Sequence, residues 1–211
     1  MHNRTASLWR GPPQRASRPV TTVRTVAIIH RATVRPTKAE VLERMFRQPT
    51  TVLGSYRFDD PEGEVGVEAF VVSSGAGTRH VVLTYRGEPL EAADAYLVST
   101  MEHSVLGRRW IYDGTGDPVA AACFRRALLG QQDQAVEEIW EDGRSAGTRE
   151  PSVRLSVVPG RAPGAGATPR IVTDLDLDLD HVPGAGPGPR LRAAWDGGEA
   201  IVATLAEDVE R

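Results

Sequence analysis

The apolar positions of this chain fall mostly at a spacing of two, with two stretches at helical spacing. Residues 25–30 form a short β-rich run ending at His30. A helix start follows. Pro36 precedes Thr37, and Thr37 with Glu40 matches a capping box, in which hydroxyl and carboxylate each satisfy an orphan amide. Val41, Leu42, Met45 and Phe46 then give one apolar face, which predicts a helix over 37–47. Residues 51–59 alternate through Val52, Tyr56 and Phe58 and stop at the turn signal 59–63. Residues 64–73 put Val65, Val67, Ala69 and Val71 on one face, and 78–86 return with Val81, Val82, Leu83 and Tyr85. The pair predicts a hairpin about the Ser74–Gly77 turn.

Residues 94–104 fit helix and strand equally, and 105–113 read as a strand. A second helix opens at Asp117-Pro118, an N-cap followed by proline at the first helical position. It runs through Cys123, Phe124, Ala127 and Leu128, and helical character resumes over 135–140 after Gly130. Beyond Pro151 the composition changes. Strand-like runs at 152–158, 171–179, 190–195 and 200–205 are separated by 159–169 and 183–189, nearly all Pro, Gly and Ala, which read as unpacked linkers. The expected fold class is α+β: a curved antiparallel sheet packed on a helix over 24–150, with a separable C-terminal β-meander over 151–211.

Charge adds one asymmetry. The net charge is −3, but residues 1–24 hold Arg4, Arg10, Arg15, Arg18 and Arg24 and no acid, leaving −8 on the remainder. Residues 1–23 are therefore read as a disordered basic tail. Five spaced arginines with a single aromatic among them, Trp9, are weak evidence for a nucleic-acid partner, which is not expected. The single cysteine, Cys123, excludes an intramolecular disulfide and reads as a buried small hydrophobe. No apolar run approaches the ~18 residues of a membrane span, and no signal-peptide core is visible, so a cytoplasmic location is expected.

Candidate chemistry is sparse. Asp174, Asp176, Asp178 and Asp180 alternate with leucines, which reads as a solvated face over a packed one rather than a calcium loop. The five histidines lack zinc spacing, and no glycine-rich segment is followed by the lysine and helix of a phosphate cradle. No metal, cofactor or catalytic residue is assigned. The most informative stretch is His103 to Asp113. As a strand it puts Arg108, Trp110 and Tyr112 on one face and His103, Arg109, Ile111 and Asp113 on the other. The first set makes a platform for a sugar ring or an anion, with Glu68 as a further lining residue; the alternative is a half-buried strand with Trp110 in the core and Arg108 lying along it.

These residues also carry a resemblance. Residues 25–130 resemble the N-terminal cap domain of bacterial maltokinases, and more closely short stand-alone proteins with a cap-like domain. The carrying segments are 26–30, 58–61 with 64–68, 80–90, and 101–114 followed by Asp117-Pro118. The resemblance implies a cystatin-like arrangement. The 211 residues show neither the catalytic-loop aspartate nor the metal-binding aspartate motif that phosphoryl transfer needs. It therefore implies a non-catalytic interaction or regulatory module tied to glucan, trehalose or maltose metabolism, with a carbohydrate-active enzyme or kinase as partner. The competing reading is a small-molecule binder, for a sugar or an anion, or an enzyme of another type, using the concave face of the sheet.

Overall fold

The structure, a computed structural model, describes residues 26–30, 32–141, 144–164, 166–177 and 186–206. The basic tail assigned to 1–23 lies outside the described residues. No helix among those described is long and apolar enough to cross a membrane.

The centre is a six-stranded antiparallel sheet that curls on itself. Its strands are β2 (Val34–Arg35), β3 (Thr51–Asp59), β4 (Gly66–Ser74), β5 (Gly77–Arg86), β6 (Leu97–His103) and β7 (Gly107–Asp113), in the spatial order β2-β6-β7-β5-β4-β3. The β4–β5 hairpin has the predicted turn, and Asp59 to Gly63 makes the turn between β3 and β4. The ambiguous stretch divides: 91–96 is a 3-10 turn and the rest is β6.

Helix α1 (Lys38–Phe46) covers one face of this sheet. Its capping box is formed as the sequence predicts: the Thr37 amide donates to Glu40 at 2.7 Å and the Glu40 amide to Thr37 Oγ1 at 3.3 Å. Val41 and Leu42 are fully buried against Phe70, Val72, Val81, Leu83, Met101 and Ile111. Each contributes roughly 1.5–3 kcal/mol of apolar burial.

Helix α2 (Pro118–Leu128) covers the other face. Ala120, Cys123, Phe124, Ala127 and Leu128 recur at helical spacing and are buried. Phe124 meets Phe58 edge to face, 5.2 Å between centroids. Asp117 fixes where the helix begins. It accepts from the Val119 amide, from Thr84 Oγ1 at 2.7 Å, and from both Nε and Nη2 of Arg86 at 2.8 and 2.6 Å. Burial pushes its carboxyl pKa up, but the Arg86, Thr84 and amide bonds outweigh that and hold it below the ordinary value.

Two sequence readings are corrected here. Residues 135–140 are not helical: β8 (Val136–Glu141) pairs in parallel with β1 (Val26–His30) and antiparallel with β9 (Arg144–Arg149). Alternation within Val136–Trp140 competes with a helical reading in so short a run, and pairing with a distant strand decides it. The run expected as a strand over 171–179 also stops early. Strand β11 (Thr168–Ile171) ends where the chain leaves β13 (Gly198–Ala206) and crosses to β5.

Strands β10 (Arg154–Val158), β12 (Arg190–Trp195), β13 and β11 form a third sheet, in the order β10-β12-β13-β11. Its inner residues join the cluster under α2: Val153, Ala167, Val172, Leu191, Ala193, Val202 and Leu205 are buried with Tyr56, Phe58, Val71 and Phe124. The 159–169 segment is packed too. Ala167 is buried, and a Cβ on Gly160 would stand 2.2 Å from the Gly188 carbonyl oxygen, so the two Pro/Gly segments touch where only glycine fits. The composition change at 150/151 thus falls inside one continuous core.

The contact between this third sheet and the central one is organised around His80 on β5. Its imidazole is fully buried, with Nδ1 2.9 Å from the Val172 carbonyl and Nε2 2.9 Å from the Tyr56 hydroxyl. A carbonyl only accepts, so Nδ1 carries the proton and Nε2 accepts from Tyr56. The main chain adds two bonds, from the His80 amide to Thr173 and from the Leu175 amide to Thr78. At the surface end Arg79 binds Asp174 at 2.9 Å and Asp176 at 3.4 Å, and the Thr78 amide donates to Asp176. Gly77 has φ +97° and a Cβ there would stand 1.8 Å from Asp176 Oδ2, so the turn and the close approach both require glycine. The predicted Leu face is partly present, with Leu175 buried and Leu177 exposed; residues 178–180 lie outside the described residues.

Burial lowers the His80 pKa to about 4, below the ~6.5 of an exposed histidine. The unfolded chain therefore binds the extra proton between those values. Stability from neutral His80 is complete above pH 6.5, falls as pH drops toward 4, and is level below that; the total is about 3 kcal/mol. Urea unfolding at pH 7.5 and pH 4.5 should show this loss in the native chain and not in His80→Gln, which separates it from the carboxylates. A second expectation concerns the shared core. The chain cut to residues 24–150 should lose its sharp thermal transition by circular dichroism and bind a hydrophobic dye, because Tyr56, Val71 and Phe124 lose their cover.

Candidate functional site

The sequence singled out Arg108, Trp110, Tyr112, His103 and Glu68, and the sheet distributes them over both its faces. In β7, Arg108, Trp110 and Tyr112 point to the face that carries α2. Trp110 is opposite Thr100 of β6 and Arg86 of β5, and Tyr112 is opposite Leu97 and Thr84. Both His103 and Glu68 point to the α1 face, since His103 pairs in register with Gly107 and Glu68 with Leu83. The five therefore do not line one cavity. The sequence placed Arg108, Trp110 and Tyr112 together because alternation within one strand is local. The face of Glu68 relative to theirs depends on register across three strands.

On the α2 face the three residues differ in role. Tyr112 is fully buried, and its hydroxyl accepts from the Leu90 amide at 2.7 Å, so it holds the loop before the 3-10 turn. Arg108 is exposed and its Nε donates to Glu102 at 2.8 Å. Trp110 is half-buried between them and the buried Arg86–Asp117 pair. Leu97, 42% exposed, sits beside this row. The face offers an aromatic surface, an arginine and a carboxylate, open to solvent at its outer end.

On the α1 face Glu68 is buried with Lys38 at 2.8 Å from Oε1 and 2.6 Å from Oε2, and Arg57 at 3.7 Å. Burial pushes its carboxyl up, and the two cations more than offset this, so it is held below the ordinary value. Lys38 also lies 5.8 Å from the centre of the Tyr85 ring. Glu68 is thus the counter-charge that ties the first turn of α1 to the sheet. His103 closes the β6–β7 turn, its Nδ1 accepting from the Val105 and Leu106 amides at 3.2 and 3.1 Å. Both are engaged in bonds that shape the fold.

The residues sequence reasoning passed over are Asp117 as a buried ion-pair partner and His80 as a buried joint. The sequence marks Asp117 as a cap, which it is, but Arg86 sits 31 positions away and nothing local signals the pair. Cys123 is buried as expected. Burial pushes its thiol up to about 11, and Arg126 Nη2 lies 3.2 Å from Sγ. Among the described residues no three His, Cys, Asp or Glu side chains are grouped to hold a metal ion.

No curated protein and no solved structure matches this chain. Its residues 42–117, roughly a third of its length, match the family model of the maltokinase N-terminal cap domain. That stretch runs from the middle of α1 through β7 to the Asp117 cap of α2, and lies within the residues 25–130 on which the resemblance was read. The stretch from the middle of α1 through β7 is accordingly similar to the maltokinase N-terminal cap domain, and the strands beyond residue 150 lie outside the match.

Proposed function

We propose that this protein is a non-catalytic interaction and regulatory module of maltose, trehalose or glucan metabolism that works on a carbohydrate-active enzyme or kinase. The observation that supports it is the cap-type match over residues 42–117. The two most buried carboxylates of that stretch, Glu68 and Asp117, are bound in ion pairs that fix α1 and α2 to the sheet. Chemistry in an open cleft needs such groups free to meet a substrate.

A second reading, a binder of a sugar or an anion, is favoured by the half-buried Trp110 beside the exposed Arg108. An aromatic face with a nearby guanidinium suits either ligand.

Three measurements distinguish these readings. The purified protein with maltose, ATP and magnesium should release no ADP; turnover abolished by one point mutation in this chain would overturn a non-catalytic role. Mixed with a maltose-phosphorylating kinase domain stripped of its own cap, it should raise that domain's Tm or change its KM for maltose. If instead maltose or phosphate changes the tryptophan fluorescence, and Trp110→Ala removes the change, the binder reading replaces the module.

A further inference from the structure

Among the described residues, the sheet formed by β10, β12, β13 and β11 has an edge that is only half covered. Within β10, residues 154, 156 and 158 turn their main-chain groups toward β12, so those of Leu155 and Val157 point outward, as the outward bond of the Leu155 amide shows. The first half of this edge is occupied by a side chain. Gln134 donates from Nε2 to the Val153 carbonyl at 2.7 Å and accepts at Oε1 from the Leu155 amide at 2.5 Å. That donor and acceptor pair is what the main chain of a neighbouring strand presents. Past it, the Leu155 carbonyl and the Val157 amide and carbonyl have no main-chain partner among the described residues.

These open groups border a groove of about 350 Å³. Helix α2 stops at Leu128, so Ala127 and Gly130 wall the groove instead of covering β10. Leu155, Val157 and Leu191 supply its apolar side, and Val157 is 40% exposed there. Asp133 is the one charged residue among those lining it, and it is exposed.

We propose that this groove receives a short extended peptide segment of a partner protein. The segment pairs with the main chain of Val157, seats one apolar side chain against Ala127, Leu155 and Leu191, and sets a lysine or arginine beside Asp133. Three features select that occupant. Only an extended chain offers free N–H and C=O groups at the strand repeat; a helix has spent its own. The open edge spans about three residues, or ~10 Å, far too little for the ~1,000 Å² that a stable dimer of this chain needs. The lone acidic charge complements a basic residue on the peptide. The site lies outside residues 42–117 and is independent of the function proposed above.

The test uses the full chain, labelled with nitrogen-15, and two blocked peptides, acetyl-Thr-Val-Lys-Val-Thr-amide and its glutamate counterpart. In the free protein the Val157 amide should exchange with solvent faster than the neighbouring Ser156 and Val158 amides. The lysine peptide should shift resonances at 127–134, 155–157 and 191 and slow exchange at Val157. The glutamate peptide should bind more weakly. Asp133→Asn should weaken the lysine peptide about two- to fivefold, the range of one exposed ion pair, and should not weaken the glutamate peptide. Val157→Pro should keep the native Tm and lose binding, because its N–H faces away from the ladder and proline is tolerated at such an edge position. The proposal is overturned by a Val157 amide protected as well as its neighbours in the free protein, or by no shift at millimolar lysine peptide. Shifts centred elsewhere, or an Asp133→Asn variant that binds both peptides like the native chain, overturn it equally. Self-association that protects Val157 would give the edge to a second copy and also overturn it.

Discussion

The fully buried His80 imidazole is where the two halves of this molecule depend on each other. It is hydrogen-bonded on one side to Tyr56 of the central sheet and on the other to the carbonyl of Val172 in the C-terminal strands. A buried imidazole in an apolar setting has to stay neutral, and a neutral imidazole has one donor and one acceptor. Tyr56 and Val172 satisfy one each. Around this pair Tyr56 and Phe124 pack on the imidazole, and Phe58 meets both of their rings edge to face. The flanking main-chain bonds and the Arg79 carboxylate pairs fix the approach of residues 172–176. Without that approach, the face of the central sheet not covered by α1 would lie partly open to water.

The two faces of the central sheet solve a similar problem by different means. On the α1 side a small apolar contact, Val41 and Leu42, is backed by an ion pair between the half-buried Lys38, the helix's first residue, and the fully buried Glu68. On the α2 side a broad apolar face is shared with the third sheet, and the buried pair Arg86–Asp117 sets the helix start. Breaking a buried pair leaves an uncompensated charge, so each makes the position of its helix strict even where its net contribution to stability is small. The same placement draws Glu68 and Asp117 away from any open cleft. Among the described residues, the surfaces left open include the outer end of the β6–β7 face, with half-buried Trp110 beside exposed Arg108 and Leu97, and part of the edge of β10. The ionisable groups buried against this sheet hold its helices in place.

Much of the architecture could be read from residues close together in the chain. The capping box at Thr37 and Glu40, the Asp117-Pro118 start, the apolar spacing of both helices and the β4–β5 hairpin all depend on contacts within a few positions or one turn, and local chemistry settles them. The placement of Arg108, Trp110 and Tyr112 on one face is likewise fixed by the period of a single strand. Contacts of long sequence separation decided the rest. Whether 135–140 is helix or strand turned on pairing with β1 more than a hundred positions earlier. That Glu68 faces away from Trp110 came from the register across β4, β5 and β7. That the Pro/Gly-bounded C-terminal strands share one core with the central sheet followed from bonds between residues 78–80 and 172–176, some ninety-five positions apart. By itself, then, the sequence determined the elements and their caps, because those energies are local. The tertiary structure decided which faces and edges were left uncovered, because burial is a property of the whole assembled chain.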